Sequence, residues 1–322
     1  MKLRGLRRRI SRWWKAITPR RFPQLTELVT AFSNPDRSPA VIGFGDSVWE
    51  RVSRDDRDTR TLADMLGELL QARGVSAHFV HGSGYHQQVF LGFVRVLASL
   101  PGAPRVAVIA LNLRSFSPQW QFNPLWRADS EQRALDRYLS SRRSRRLLPA
   151  AAPSARVLDE YDGTMVSYPG TPYRTVGDFR RIVNQRPESE SARVERMRAL
   201  FRFHYMHPLA DSNPHLVALG ETLTILHRLG VQTFCYITPV NVMAGKRYLG
   251  SDFERAIAQN VDVLQRLIRQ PALGVELADE SRGFTSEFFF HDDEPTEHLN
   301  ERGRLRLANE VANRVSRLNL QK

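Results

Sequence analysis

Ala40-Val41-Ile42-Gly43-Phe44-Gly45-Asp46-Ser47 decides how this chain is read: an apolar run stops at a glycine, and a polar segment begins with Asp46-Ser47. A buried strand that ends in a glycine-assisted turn with a serine at its carboxyl end is where α/β folds expose a nucleophile. The same triplet also suits an ordinary turn, with glycine giving backbone freedom and Asp or Ser capping the next helix. The choice between the two rests on what the rest of the chain supplies.

Three later segments supply it. After the predicted strand Ala77-His78-Phe79-Val80 comes His81-Gly82-Ser83-Gly84-Tyr85, leading into the helical pattern Val89, Phe90, Phe93, Val94, Leu97. A glycine pair there lets a backbone N–H approach a ligand closely at a helix start. The third strand, Arg105 to Leu111, is almost purely apolar and ends at Asn112. A side-chain amide at that place can donate to a developing oxyanion. Near the chain end, Phe288-Phe289-Phe290 is followed by His291-Asp292-Asp293-Glu294-Pro295-Thr296-Glu297-His298 and then a helix from about Asn300. One loop thus holds a histidine and several carboxylates.

These four blocks, in this order, resemble those of the GDSL or SGNH hydrolases, a superfamily of serine esterases and acyltransferases. The resemblance runs from Val41 to about Ala312, although only short segments carry it. It implies that Ser47 is the nucleophile and His298 the general base. It also implies an oxyanion hole formed by Ser47, Gly84 (alternatively Gly82) and Asn112. Val48 stands where the family name has leucine, and Leu113 stands where many members have aspartate. The larger departure is Pro295, which occupies the place three residues before the histidine where the family carries its acid. Asp293 or Glu294 from further along the loop, or a Ser-His dyad with a backbone carbonyl orienting the ring, are the alternatives. The family fold is a flavodoxin-like three-layer α/β fold with a mostly parallel five-stranded sheet, and no cofactor is implied. The chemistry implied is acyl transfer through a serine ester, in which His298 takes the Ser47 proton and returns it to the leaving alcohol. Hydrolases and acyltransferases share this constellation, so the acceptor stays open. The substrate class implied is an O-acyl or O-acetyl ester of a carbohydrate or lipid.

The remaining pattern agrees with an α/β fold. Thr61 with Asp64 marks a helix start, and Leu62, Met65, Leu66, Leu69 and Leu70 give its buried face before Gly74. A helix ending at Gly230, a strand from Val231 to Ile237, a helical stretch around Phe253 to Ile268 and a short apolar run Leu273 to Leu277 continue the alternation. Such βαβ order predicts a parallel sheet with helices on both faces. Between Leu113 and about His215 the alternation lapses, and this stretch, about 113–215, reads as a lid or cap inserted after the third strand. It contains Arg142-Arg143-Ser144-Arg145-Arg146, a charge run that reads first as a solvated face and, if turned to the pocket, as a site for anionic substrate. Asn241, in Thr238-Pro239-Val240-Asn241 after a strand, is a substrate-contact candidate or a turn residue. Arg114, two residues past Asn112, is a pocket cation or a loop salt bridge.

Charge is unevenly spread. The chain of 322 residues carries a net +13, and residues 1–22 hold nine Lys or Arg with no acid, which leaves +4 for the remainder, residues 23–322, read as one domain. Within that arm Leu3, Leu6, Ile10, Trp13 or Trp14, and Ile17 recur at helical spacing beside the basic face. The pattern suits a helix lying on anionic lipid and a helix packed on its own domain about equally, with a transit peptide ranked below. No specific nucleic-acid partner is expected from the mildly basic body. The arm has no apolar core long enough for a signal peptide or membrane span, so a cytoplasmic protein, peripheral at the inner membrane surface, is expected. The single cysteine, Cys235, lies in an apolar strand pattern and reads as a small buried residue. The loop from His291 to His298 has ligand types for a metal but no recognised zinc spacing, so no metal is expected. A metal-assisted hydrolase using that loop, and a non-catalytic membrane- or polyanion-binding protein on a degenerate hydrolase scaffold, are the competing readings.

Overall fold

Five short strands, each ending in a turn that starts a helix or tight loop, form one sheet. A computed structural model describes residues 22–118, 131–140 and 174–320. The strands are β1 (Val41–Gly45), β2 (Ala77–His81), β3 (Val106–Leu111), β4 (Gln232–Ile237) and β5 (Glu276–Asp279). Every neighbouring pair is parallel and the order is β2-β1-β3-β4-β5. This is the flavodoxin-like order, and its switch point lies between β1 and β3, where the chain first winds outward to β2 and then returns.

Alternation along the strands splits the core into two layers. Ala107, Ile109 and Leu111 of β3 face a cluster covered by the helices Pro23–Phe32, Gln87–Leu97, Pro214–Arg228 and Ser251–Ile268. Val106, Val108 and Ala110 face the other, covered by Leu62–Gln71 and Glu301–Leu320. All six β3 residues are buried, which is why that strand is apolar without interruption rather than alternating. The helix at Leu62 begins with the expected reciprocal cap between Thr61 and Asp64.

The last strand differs from the apolar run in the sequence. Pro271–Leu273 forms a 3-10 turn, and Gly274 takes a left-handed conformation at φ 58°, so only Glu276 and Leu277 of that run enter β5. Within the stretch after β3, residues 131–140 are helical and the helices Val176–Asn184 and Glu190–Tyr205 follow. Phe201, Phe203 and Tyr205 are buried in the main core beside Phe253, so this helix is built into the body of the domain. The basic arm (apart from Phe22), the arginine run 142–146 and the loop 150–173 lie outside the described residues. Among the described residues no helix is long and apolar enough to cross a membrane. Cys235 is buried, and burial pushes its thiol pKa up.

Candidate active site

The turn after β1 is shaped by one tryptophan. The indole of Trp49 lies flat against β1, so close that a Cβ at Gly45 would stand 2.2 Å from Trp49 Cγ and one at Gly43 2.6 Å from Trp49 Cη2. Only glycine fits at both places. Trp49 Nε1–H donates to the Tyr236 hydroxyl on β4 at 2.5 Å, which fixes the short helix Ser47–Glu50 over the sheet. Asp46 caps that helix, its Oδ1 accepting from Val48 N–H at 2.9 Å. Ser47 is the first helical residue, so its own N–H has no intrahelical partner.

His298 reaches Ser47 from a position 251 residues later, with Nε2 3.0 Å from Ser47 Oγ. Its loop is held from both sides. Phe290 N–H donates to the His298 carbonyl at 3.0 Å, and Phe289 and Leu299 form an antiparallel bridge. The ring packs against Phe290 with centroids 5.6 Å apart. The other ring nitrogen, Nδ1, lies 3.4 Å from Thr296 Oγ1, which also accepts from the His298 N–H at 3.1 Å. With the proton on Nδ1 toward the threonine, Nε2 presents its lone pair to the Ser47 hydroxyl. Burial lowers the imidazole pKa, with Glu297 opposing and Arg114, Arg51 and His291 adding to the fall. A neutral imidazole is the form a general base needs.

Two further sequence positions meet this pair. Asn112, directly after β3, donates through Nδ2 to Asp46 Oδ2 at 2.7 Å and accepts the Arg114 N–H at Oδ1 at 3.0 Å. One N–H of the Asn112 amide is thereby used, and the second has no acceptor among the described residues. Gly84 has φ 85°, a conformation that side chains resist, and it lines a cleft together with Asp46, Ser47, Tyr85, Asn112, Arg114, Ser115 and Glu297. Gly82 is set apart from that cleft: Tyr85 N–H bonds its carbonyl at 3.0 Å, and the Tyr85 ring covers the place a Cβ would take. The cleft holds about 200 Å³ of unfilled space, part of it open to solvent.

The other candidates fall elsewhere. Asp293 Oδ2 is bound by Arg193 Nη1 at 2.8 Å and by the Tyr248 hydroxyl at 3.4 Å. Glu294 contributes its carbonyl to the Thr296 N–H at 2.8 Å. Asn241 is buried and wholly engaged by protein: its amide N–H donates to the Asp292 carbonyl at 3.0 Å, while Oδ1 accepts from Ala244 N–H and the Ser286 hydroxyl. It ties the histidine loop to the helix Val242–Leu249. Arg114 does line the cleft, where its Nη1 bonds both oxygens of Glu297 at 3.1 and 3.2 Å. Among the described residues no group of three or more His, Cys, Asp or Glu side chains is gathered so as to hold a metal ion.

Three residues at the site were not assigned a catalytic role from sequence. Thr296 took no part in the expected triad because the expected acid lay one residue earlier. Glu297 is buried, the last of three consecutive buried residues from Pro295, and no local pattern in the sequence marks it. Asp46 is the third. Burial pushes its carboxyl up to about 6, helped by the charge of Glu297 and opposed by the Val48 N–H, the Asn112 amide and Arg114.

No protein-family model matches the chain, and no curated protein matches it. Three solved structures to which it is similar are esterases. One is a family two carbohydrate esterase from Clostridium thermocellum in complex with cellohexaose, at 11% identity over 86% of this chain and 64% of that one, with a TM-score of 0.38. The chain therefore spans somewhat under two thirds of that relative's length. A catalytic mutant of an acetylxylan esterase from Geobacillus stearothermophilus matches at 11% identity over 85% of this chain and 93% of that one, TM-score 0.42. A carbohydrate acetylesterase family member from Sinorhizobium meliloti matches at 13% identity over 87% and 98%, TM-score 0.36.

Proposed function

We propose that this protein is a serine esterase or O-acyltransferase of the SGNH type, acting on O-acyl and foremost O-acetyl groups of a carbohydrate or lipid through an acyl-Ser47 intermediate. The observation that carries this reading is the 3.0 Å approach of His298 Nε2 to Ser47 Oγ at the mouth of a cleft that Gly84 and Asn112 also line. A hydroxyl is a poor nucleophile at neutral pH, and a neutral imidazole at hydrogen-bond distance is what activates it.

In the first step Ser47 Oγ bonds the acyl carbon while its proton passes to Nε2. The carbonyl oxygen becomes an oxyanion, met by Ser47 N–H, Gly84 N–H and the second N–H of Asn112. Each such donor is worth roughly 3 to 4 kcal/mol of barrier because it is already aimed before charge develops. Collapse returns the proton from Nε2 to the leaving alkoxide. A second hydroxyl, from water or from another alcohol, then repeats the sequence in reverse. The small cleft suits a short acyl group, and Arg114 at its wall favours polar or anionic surroundings for the alcohol portion. The basic arm 1–22 would place the domain on anionic lipid, where its tryptophans sit at the boundary.

The test is turnover of an activated acetyl ester together with a panel of acetylated oligosaccharides and lipid esters. Wild-type protein is expected to release chromophore with an initial burst of about one equivalent if deacylation is slow. Loss of all turnover in Ser47→Ala, with folding intact, is required; activity persisting in that variant would refute the reading.

A further inference from the structure

His298 lacks the carboxylate that would ordinarily steady its charge. Position 295 is a proline, Asp293 is committed to Arg193 and Tyr248, and Glu294 offers only its carbonyl. Yet proton transfer from Ser47 creates an imidazolium in a site that already contains Arg114 and Arg51. A new cation there needs an opposing charge. The only carboxylates among the described residues that line the cleft are Asp46 and Glu297. Asp46 is committed to Val48 N–H and Asn112 on the β1 side.

Resting on the serine-esterase reading above, we propose that Glu297 is a positioning residue that balances the charge of the His298 imidazolium, while Thr296 Oγ1 holds the ring in the tautomer that faces Ser47. Division of labour replaces the usual single acid: the hydroxyl supplies orientation and the carboxylate supplies charge.

The placement of Glu297 fits this task. Its side chain is 3% exposed, so its field is little screened by water. Arg114 Nη1 bonds both of its oxygens, and the Tyr205 hydroxyl donates to Oε2 at 3.1 Å. Burial by itself would raise its pKa, but the charges of Arg114, His298 and His204 and the Arg114 hydrogen bond together hold it below the usual carboxylate range. The charged and titratable groups whose fields act on the His298 ring are Glu297 and His291 from its own loop, Arg114 from the turn after β3, and Arg51 from the segment after the Ser47 helix. Glu297 is the single anion in that set. In the proton step it stays ionised throughout: the proton goes from Ser47 Oγ to Nε2 and back to the leaving oxygen, and Glu297 only lowers the energy of the charged intermediate.

Opposite charge removals give opposite results. In Glu297→Gln the single amide oxygen can still accept from Tyr205 and Arg114, one of the two Arg114 contacts is given up and the charge is lost, so the acid limb of kcat/KM for an activated acetyl ester should move down by about one pH unit. The plateau should also fall at least about tenfold in kcat with little change in KM. In Arg114→Gln the same limb should move up, because a cation facing the ring is gone. A residue that only holds the fold together would lower the active fraction and leave both limbs in place. If either variant fails to fold, nitrogen NMR of the His298 ring in Thr296→Val replaces it: the proton should leave Nδ1 for Nε2, and an unchanged tautomer overturns the proposal. Fluorophosphonate labelling of wild-type Ser47 separates the two levels. Without labelling, the esterase reading itself fails; labelling with limbs that do not move, or that move together, defeats only the role given to Glu297.

Discussion

The Asn112 amide donates to the Asp46 carboxylate across 2.7 Å inside the fold, tying the end of β3 to the turn that carries Ser47. Asn112 therefore holds a buried acid in addition to the oxyanion-donor role proposed for it. Asn112→Ala should cut kcat about 10²- to 10³-fold with KM little changed, since the donor is used only once the oxyanion forms. Its stability cost should depend on pH. The Asp46 carboxyl titrates at about 6 in the fold against 3.8 when free, so charging it costs stability as pH rises through about 6. The lost hydrogen bond is to the charged form, which raises that pKa further. The variant should thus lose more stability at pH 8 than at pH 5, by an amount on the order of 1.5 to 3 kcal/mol. Urea unfolding at the two pH values measures it; equal losses would contradict the charge assignment.

Arg304 fixes the loop that follows the Ser47 helix. Its side chain is fully buried, pairs with Asp56 at 2.6 Å, and donates to the carbonyls of Leu299, Asp58 and Arg60. Glu301 adds to this by accepting from the N–H groups of Arg57 and Asp58. The start of the helix Glu301–Leu320 is thereby locked to residues 56–60, and His298 enters just ahead of it. Arg304→Met would keep the volume but strip Asp56 of its cation, leaving it the Ser53 N–H, and leave three carbonyls without this donor in the interior. A loss of about 3 to 5 kcal/mol is expected. The chemical denaturation midpoint checks it, and a loss under about 1 kcal/mol would show that the pair is not structural.

His86 and His215 form a second test, on stability alone. Their rings stand 4.6 Å apart at the starts of two packed helices, both are buried, and none of their four ring nitrogens has a partner among the described residues. Burial lowers both pKa values, that of His215 to about 4, and the charge of His215 adds to the fall at His86. A histidine with a depressed folded pKa stabilises the fold above its free value of 6.5 and loses that contribution as pH falls toward 4. His215 alone should cost on the order of 2 kcal/mol between pH 7 and pH 5. His215→Phe should flatten the acid limb of thermal stability across that window, and an unchanged limb would mean the ring is reached by water.

Much of the scaffold is visible in short-range pattern. The unbroken apolar run of β3 marks a strand buried on both faces, and Thr61 with Asp64 marks a helix start, because both depend on neighbours in sequence. Ser47 and Asn112 stand out for the same reason, Asn112 directly following an apolar strand and Ser47 lying two residues past one. What the sequence hides is set by partners far along the chain. The Arg114–Glu297 pair joins residues 183 apart, and Arg304 meets Asp56 across 248. Asn241 sits after a strand as a substrate-contacting residue would, but its amide turns inward to the Asp292 carbonyl, 51 residues away. Nothing local distinguishes those cases. At the Nδ1 of His298 stands the Thr296 hydroxyl, at 3.4 Å, while the Asp293 carboxylate, one of the acids expected there, pairs with Arg193 instead.

The central claim is that Ser47 is made nucleophilic by His298. It is tested most directly by treating the full-length protein with a fluorophosphonate and locating the adduct by peptide mapping, in the wild type and in His298→Ala. A single adduct on Ser47 that is lost, or slowed by more than about 10³-fold, in His298→Ala is the expected result. An unlabelled Ser47 in folded, active protein, or labelling that proceeds equally well without the imidazole, would contradict it.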